Sequence, residues 1–250
     1  ADSPSSSSDC SAPDADADWY DVRTSRQRRV DCLLLNLCGI MFQADNALLP
    51  AVYMELGQEF GVGPSELGVL TLLRGVTEAL FALPAGFLAD IVPRPRLICA
   101  AVLVWAVGII SCGFVPGGQE NYHWLVLCRM LNGAGLGVTQ PLLYSLISDT
   151  NRPSRRGVAF GTVQFTGNVG SVVGGLIVTV VAPMSNHQGW RWTFKAFGLM
   201  SALIGLGIGL HVREPRADLQ AKREGRGIRS VVRAHAPDLW RILKIPTFLV

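Results

Sequence analysis

Long apolar segments, separated by short polar ones, fill the chain between its two polar ends. A helix that crosses a membrane needs about 20 mostly apolar residues, and six segments meet this requirement. They run roughly over residues 30–53, 65–91, 96–115, 122–148, 157–182 and 191–212. Gly, Pro and polar residues punctuate every gap between them. The pattern therefore predicts an all-α membrane protein whose domain, residues 30–212, is a bundle of six transmembrane helices.

The two ends of the chain differ from this bundle. Residues 1–29 are rich in Ser, Asp and Arg, which predicts a disordered tail, and the segment is too acidic for a transit peptide. The chain begins with Ala rather than Met, so we expect the true start to lie upstream. The stretch "IPTFLV" at residues 245–250 is typical of the beginning of a seventh helix that the sequence truncates.

The basic residues predict the orientation of the bundle. Of the 22 Lys and Arg residues, eighteen lie in four segments that the six helices place on one side: the N-terminal tail, two loops and the segment 213–244. The gaps at 54–64 and 116–121 carry none. By the positive-inside rule, the N-terminus and the central linker are cytoplasmic.

The linker, residues 213–244, combines nine basic residues with apolar ones such as Ile228, Val231 and Trp240. Such a segment binds an anionic leaflet, and each base near the surface contributes about 1 kcal/mol. We expect a loose first part and then a short interfacial helix over about 228–244, broken near Pro237. The alternative is a flexible linker throughout. Membrane lipids are the partners that the first interpretation implies.

Four charged residues lie inside the predicted spans: Asp45, Arg74, Glu78 and Arg129. Each costs roughly 2.5–3.5 kcal/mol on insertion scales, and such residues usually face a bundle interior or an aqueous path. Arg74 and Glu78 are four residues apart on one helical face, so they can neutralise each other. Arg74 could instead hold an anionic headgroup, and both interpretations remain open.

Uncharged polar residues extend these candidate sites. Arg129, Asn132, Gln140 and Tyr144 share one face of the fourth span at helical spacing. Gly133 and Gly137 flank this stripe in a small-xxx-small pattern that favours close helix packing. Asn46, Gln164 and Asn168 are further candidates for lining a cavity, and Gly170 and Gly174 for helix packing in the fifth span. The alternative is that the polar residues only form hydrogen bonds between helices.

Three stretches resemble the major facilitator superfamily. In "GFLADIVPRPR", residues 86–96, the loop signature G-x-L-A-D-R-x-G-R is matched at Gly86, Asp90 and Arg94, among others, whereas Ile91 and Pro93 depart from it. "RMLNGAGLG" at 129–137 is similar to the fourth-span motif, and "GWRWTFKAFG" at 189–198 to the usual entry into the sixth span. Together with six spans in this orientation, these motifs resemble the N-terminal half of the fold.

A closer resemblance is to the spinster-like branch and its uncharacterised plant and algal members, through "ADNALLPAVYMEL" and "RRGVAFGTVQFTGNVGSVVGG". Spinster-like proteins move lipids, and in them an acid in the first span couples to protons and faces the fourth-span arginine. This resemblance implies that Asp45 and Arg129 form a coupling site, and the alternative is a permanent structural pair. Serine at position 171 replaces the proline of the family's antiporter motif, which weakens an antiporter assignment.

The resemblance also implies a mechanism and a missing partner. In the superfamily, the aspartate of the loop signature forms a latch with bases at the cytoplasmic ends of the helices, and here Asp90 would pair with Arg94 or Arg156. Substrate lies between two six-helix bundles, so we expect this chain to lack the C-terminal bundle. The function implied is proton-coupled secondary active transport of a small or lipid-like solute by alternating access. The alternative is a non-transporting receptor or scaffold on the same fold.

Other chemistries find little support in the sequence. The six cysteines, at positions 10, 32, 38, 99, 112 and 128, contain no CxxC pair and no metal-ligand spacing, so neither a redox role nor a metal site is predicted. No cofactor motif or nucleophile–base arrangement is present, which argues against an enzyme. The net charge of +3 does not suggest a nucleic-acid partner.

Overall fold

In the part of the chain that the structure describes, the protein forms six long helices and one short one. The computed structural model describes residues 25–89, 91–184, 188–212 and Glu214. The long helices are α1 (Ser25–Ala51), α3 (Pro64–Ala89), α4 (Arg94–Cys112), α5 (Tyr122–Thr150), α6 (Arg156–Val181) and α7 (Gly189–His211). The short helix α2 (Tyr53–Phe60) follows α1, and 3-10 turns at Gln119–Asn121 and Pro153–Arg155 precede α5 and α6. Within the described ranges there is no strand, as predicted.

Each predicted span corresponds to one long helix. The largest difference is at α1, which begins at Ser25, five residues before the predicted span, because the Arg-rich segment continues the helix beyond its apolar part. The proposed tail up to residue 24, the linker helix at about 228–244 and the seventh helix at 245–250 lie outside the described residues. The fold class predicted from the sequence is confirmed.

Five of the described helices, α1, α3, α4, α6 and α7, are long and apolar enough to cross a membrane. The remaining long helix, α5, has 29 residues and is about 43 Å long at 1.5 Å per residue, so its length also suffices. Polar residues such as Arg129, Asn132 and Gln140 lower its hydropathy. These are tolerated because α5 packs between α3 and α4 and presents its polar groups to protein.

Packing continues from this central helix around the bundle. α4 contacts α7, α7 contacts α1, and α1 contacts α6. Large apolar side chains on the outside of α3 and α6, among them Leu72, Leu83 and Leu176, are more than 60% exposed. Exposed apolar surface of this extent marks an interface with a membrane or a partner, as expected for helices that face lipid.

Glycines bring α5 into backbone contact with both neighbours. A methyl group added at Gly133 would lie 2.5 Å from the Arg74 carbonyl oxygen, and one at Gly137 would overlap the Glu78 carbonyl oxygen. On another face, a methyl group at Gly135 would lie 2.5 Å from the Trp105 amide nitrogen. Since no larger residue fits at these positions, the glycines determine how closely α3 and α4 approach α5.

The glycines of α6 have the same arrangement against α1. A methyl group at Gly170 would lie 2.5 Å from Ile40 Cγ2, and one at Gly174 would lie 3.2 Å from Ala44 Cβ. Ala44 precedes Asp45, so this contact fixes the position of the acidic residue along α1.

Candidate functional site

Asp45 lies at the centre of the bundle and is completely buried. Its Oδ2 is 3.3 Å from Arg74 Nη2 on α3. Its Oδ1 accepts hydrogen bonds from Trp105 Nε1 on α4 and Asn132 Nδ2 on α5, each at 3.3 Å. Two helices, α4 and α5, therefore donate hydrogen bonds to one oxygen of this carboxylate, and α3 places a cation beside the other.

Arg74 connects Asp45 to further polar groups. Its Nη2 donates to Asn46 Oδ1 at 2.8 Å and lies 3.5 Å from Glu78 Oε2, one turn along α3. The arginine is 7% exposed, and Asn46 also donates to Gln43 at 3.3 Å. The intrahelical contact between Arg74 and Glu78 that their spacing predicts is therefore present, but Arg74 is held by both α1 and α3.

Arg129 is completely buried on α5. None of its three guanidinium nitrogens has a hydrogen-bond acceptor among the described residues. The guanidinium carbon lies 5.9 Å from the centre of the Phe194 ring on α7, a position suited to a cation–π interaction. Arg129 thus faces the interior between α5 and α7.

That Asp45 and Arg129 face each other and form a coupling site stays a prediction. The ion pair of Asp45 is with Arg74, because the register of α5 presents Asn132 to the carboxylate and directs Arg129 towards Phe194. Asp45 and Arg129 nevertheless interact electrostatically, and Asn132 lies one helical turn from Arg129. The two residues belong to one cluster without touching.

The cluster of Asp45, Arg74, Glu78 and Arg129, hereafter the central charge cluster, contains two acids and two bases. Its charges cancel when all four are ionised. Burying an unpaired charge is costly, whereas a balanced group is tolerated. Protonation of either acid would leave one net positive charge inside the bundle.

A second polar group links α5 to α6. Tyr144 Oη donates to Gln164 Oε1 at 3.3 Å, and Gln164 Nε2 donates to Asn168 Oδ1 at 3.2 Å. The Tyr144 ring lies 5.9 Å from Phe160. Gln164 and Asn168 are exposed, and Gln140 is half-buried at a position along α5 between this group and the central charge cluster.

At the end of the bundle where α4 begins, Arg94 is 4% exposed and binds two acids. Its Nη1 lies 2.7 Å from Asp149 Oδ2 and donates to Ser145 Oγ at 2.7 Å. Its Nη2 lies 2.9 Å from Glu214 Oε1, and its backbone N–H donates to Glu214 Oε2 at 2.8 Å. Sequence reasoning missed both acids, because Asp149 and Glu214 are 55 and 120 residues away along the chain.

The other residues of the loop signature are less constrained. Arg156 Nε donates to the Ser148 carbonyl at 2.9 Å, which ties the start of α6 to the end of α5. A methyl group at Gly86 would meet nothing within 4 Å. Asp90, the predicted centre of the latch, lies outside the described residues.

At the opposite end, Glu59 and Arg191 form an ion pair that sequence reasoning also missed. Arg191 Nη2 lies 2.5 Å from Glu59 Oε1, and Trp190 Nε1 donates to Glu59 Oε2 at 2.8 Å. Arg191 Nη1 donates to the carbonyls of Gly113 and Val115. The pair joins α2, the start of α7 and the loop after α4 into one unit.

The comparisons with known proteins agree on one family. The family described as Major Facilitator Superfamily matches residues 35–250. A gallate transporter of Pseudomonas putida is 29% identical over 185 residues, covering 73% of this chain and 39% of the relative. Protein spinster homolog 1 of Homo sapiens is 26% identical over 181 residues, covering 72% and 33%. The sphingosine-1-phosphate transporter SPNS2 of Danio rerio is 22% identical over 184 residues, covering 73% and 36%. The chain spans less than half the length of these relatives.

Solved structures show the same fold. The proton:xylose symporter XylE superposes with a TM-score of 0.70 at 16% identity, covering 84% of this chain and 50% of that one. A bacterial homolog of the human lysosomal transporter Spinster, inward-facing and occupied, gives 0.66 at 24% identity, covering 77% and 46%. Spinster proteins thus occur among both the relatives and the structural neighbours, which confirms the resemblance to that branch.

Proposed function

Because the chain belongs to the major facilitator superfamily and is an integral, multi-pass membrane protein, we propose that it is the N-terminal half of a secondary active transporter. The observation that carries this proposal is the central charge cluster. Four ionisable residues inside a bundle of apolar helices are costly, and such residues usually serve a substrate or ion pathway. Membership of this superfamily also agrees with the expectation that the chain is not an enzyme.

Proton coupling follows from the chemistry of Asp45. Its carboxylate contacts one cation, Arg74, and two hydrogen-bond donors, Trp105 and Asn132. A proton delivered to Asp45 would remove the attraction to Arg74 and leave the cluster with net positive charge. Arg129, buried without an acceptor among the described residues, would gain an acceptor if it moved towards Asp45. Asp45 would bind a proton in the state in which neither arginine contacts it, and would release that proton when Arg74 or Arg129 approaches again.

The substrate is a small or lipid-like solute with an anionic group. Gallate carries a carboxylate and sphingosine-1-phosphate a phosphate, and both name relatives of this chain. Protonation of Asp45 would free Arg74, whose guanidinium already reaches the exposed Asn46. Tyr144, Gln164 and Asn168 would contact the polar remainder of the solute, while the missing C-terminal bundle would form the opposite wall.

Alternating access would use the basic end of the bundle. The buried Arg94 binds Asp149 and Glu214 and so holds the ends of the helices together at this side, and Asp90 would contribute the breakable latch that the family signature implies. In this proposal the N-terminus and the linker are cytoplasmic, as the positive-inside rule indicates.

The test uses the full-length protein in proteoliposomes with an imposed pH gradient. We expect gradient-driven uptake of radiolabelled gallate or sphingosine-1-phosphate, or of another member of a panel of carboxylates and phosphate monoesters. Asp45→Asn should abolish the dependence on the gradient while leaving solute exchange intact. Glu120→Gln, at an exposed acid before α5, is the matched control.

Two results would contradict the proposal. Unchanged gradient dependence in Asp45→Asn would exclude Asp45 as the coupling residue. Saturable binding of a panel member without flux in any direction would favour the alternative, a receptor or scaffold on the same fold.

A further inference from the structure

The structure brings together two cysteines that are 16 positions apart in the sequence. Cys112 is the last residue of α4 and is completely buried, and Cys128 lies on α5 and is half-buried. A methyl group at Gly108, one turn before Cys112, would lie 2.9 Å from the Cys128 carbonyl oxygen. Cys112 Sγ also donates to the Gly108 carbonyl one turn earlier at 3.3 Å. Both cysteines are free thiols.

The register between α4 and α5 explains this meeting. A methyl group at Gly108 would lie 2.5 Å from the Asn132 amide nitrogen, and one at Gly135 would lie 2.5 Å from that of Trp105. The helices are antiparallel, so each step forward along α4 corresponds to a step backward along α5. The pairs 105/135 and 108/132 therefore continue to 112/128, one turn further along the same contact.

Close backbones are what a disulfide requires. The Cα atoms of a disulfide usually lie 4.4–6.8 Å apart, a separation that two helices reach only where small residues let them approach. The glycine contacts at Gly108 and Gly135 provide that approach immediately beside the two thiols.

We propose that Cys112 and Cys128 form an intramolecular disulfide that joins α4 to α5. With hydrogen peroxide as the oxidant, the more accessible Cys128 is oxidised first to a sulfenic acid, and one water leaves. The Cys112 sulfur then attacks the Cys128 sulfur, the S–O bond breaks, and a second water is released. Two thiols and one peroxide thus give one disulfide and two waters.

The bond would act next to the central charge cluster. Cys128 directly precedes Arg129, so a link to α4 would fix the rotation of α5 that directs Arg129 towards Phe194. It would also close a loop of about 15 residues and restrict the unfolded chain. In the orientation that the basic residues indicate, the pair lies in the non-cytoplasmic half of the bundle, facing the side where disulfides persist.

Peptide mass spectrometry tests the assignment. The purified full-length protein is treated with hydrogen peroxide or dithiothreitol, free thiols are alkylated after denaturation, and the digest is analysed without reduction. We expect a peptide pair linked through Cys112 and Cys128 after peroxide, and alkylation of both residues after dithiothreitol. Cys38, buried on α1, should be alkylated in both samples.

Serine variants distinguish this disulfide from oxidation of other cysteines. Cys112→Ser and Cys128→Ser should each abolish the linked peptide, whereas Cys99→Ser, on the distant part of α4, should retain it. Peroxide should raise the midpoint of thermal unfolding by several degrees in the parent protein and in Cys99→Ser, but not in Cys112→Ser or Cys128→Ser. Full alkylation of Cys112 after peroxide, or a bond between Cys128 and any other cysteine, would overturn the proposal. Both of these outcomes are measured on the parent protein, so misfolding of a serine variant does not change the conclusion.

Discussion

Asp45 on α1 and Arg74 on α3 form an ion pair inside the bundle, with Asp45 Oδ2 and Arg74 Nη2 3.3 Å apart. The side chains are completely buried and 8% exposed, respectively. Arg74 also binds Asn46 and approaches Glu78, so a change in the charge of Asp45 would alter the contacts of Arg74 with both residues. Asp45, which we propose as the proton site, therefore forms its ion pair with α3, and its contact with α5 is the hydrogen bond from Asn132.

Replacement of Arg74 by Gln should destabilise the protein. Removing one partner of a buried ion pair costs about 3–5 kcal/mol, because Asp45 would keep its burial without its cation. Thermal unfolding in detergent measures this loss.

The compensating variant makes this prediction specific. Asp45→Asn combined with Arg74→Gln removes both charges, so the double variant should be more stable than Arg74→Gln alone. Equal stability of the single and double variants would show that the ion pair contributes nothing.

Trp105→Phe should destabilise the protein less than Arg74→Gln does. The indole N–H donates to Asp45 Oδ1 at 3.3 Å, and phenylalanine retains most of the apolar volume. Loss of one partner of a buried hydrogen bond costs about 1–3 kcal/mol, so we expect the unfolding midpoint to fall. Trp124→Phe, at a residue that is 54% exposed, should leave it unchanged, and an equal fall in both variants would contradict the assignment.

Much of the fold and part of the site follow from the sequence, for identifiable physical reasons. The apolar period and the basic loops predicted all six helices, and the rarity of buried charge singled out Asp45, Arg74, Glu78 and Arg129. Helical spacing determines which residues share a face of one helix, but not how far two helices slide past each other. Spacing therefore did not identify Arg74 as the ion-pair partner of Asp45.

The contacts that the sequence did not predict were missed for the same reason. In the sequence, Trp105 is one more apolar residue of α4, and only the fold places its indole beside Asp45. Glu59 and Arg191 are 132 residues apart, and nothing in their local sequence indicates that they meet. Cys112 and Cys128 show no recognised spacing, since only the antiparallel register of α4 and α5 brings them together.

Gly137→Ala should weaken the contact between α3 and α5. The added methyl group would overlap the Glu78 carbonyl oxygen, so the helices must separate. Overpacking of this kind costs about 1–3 kcal/mol, and we expect a lower unfolding midpoint together with altered pH dependence, because α3 carries Arg74. Gly75→Ala is the matched control: a methyl group there meets nothing within 4 Å, and alanine favours a helix over glycine by about 1 kcal/mol. A destabilised Gly75→Ala protein would contradict this account.

Arg94→Gln should be among the most destabilising changes at the basic end of the bundle. Arg94 is 4% exposed and is shared between Asp149 and Glu214, so its loss leaves two carboxylates facing each other around a neutral amide. Truncating a buried ion pair costs about 3–5 kcal/mol, and here one change removes two pairs that connect α4 with the end of α5 and the segment after α7. Thermal unfolding in detergent measures this loss.

Arg96→Gln removes the same charge from an exposed neighbour and should leave the unfolding midpoint nearly unchanged. Arg94→Lys keeps the charge but not the forked geometry that reaches both acids, so it should fall between the two. If Arg94→Lys were as stable as the parent protein, the fork would be irrelevant, and positive charge alone would hold this end of the bundle together.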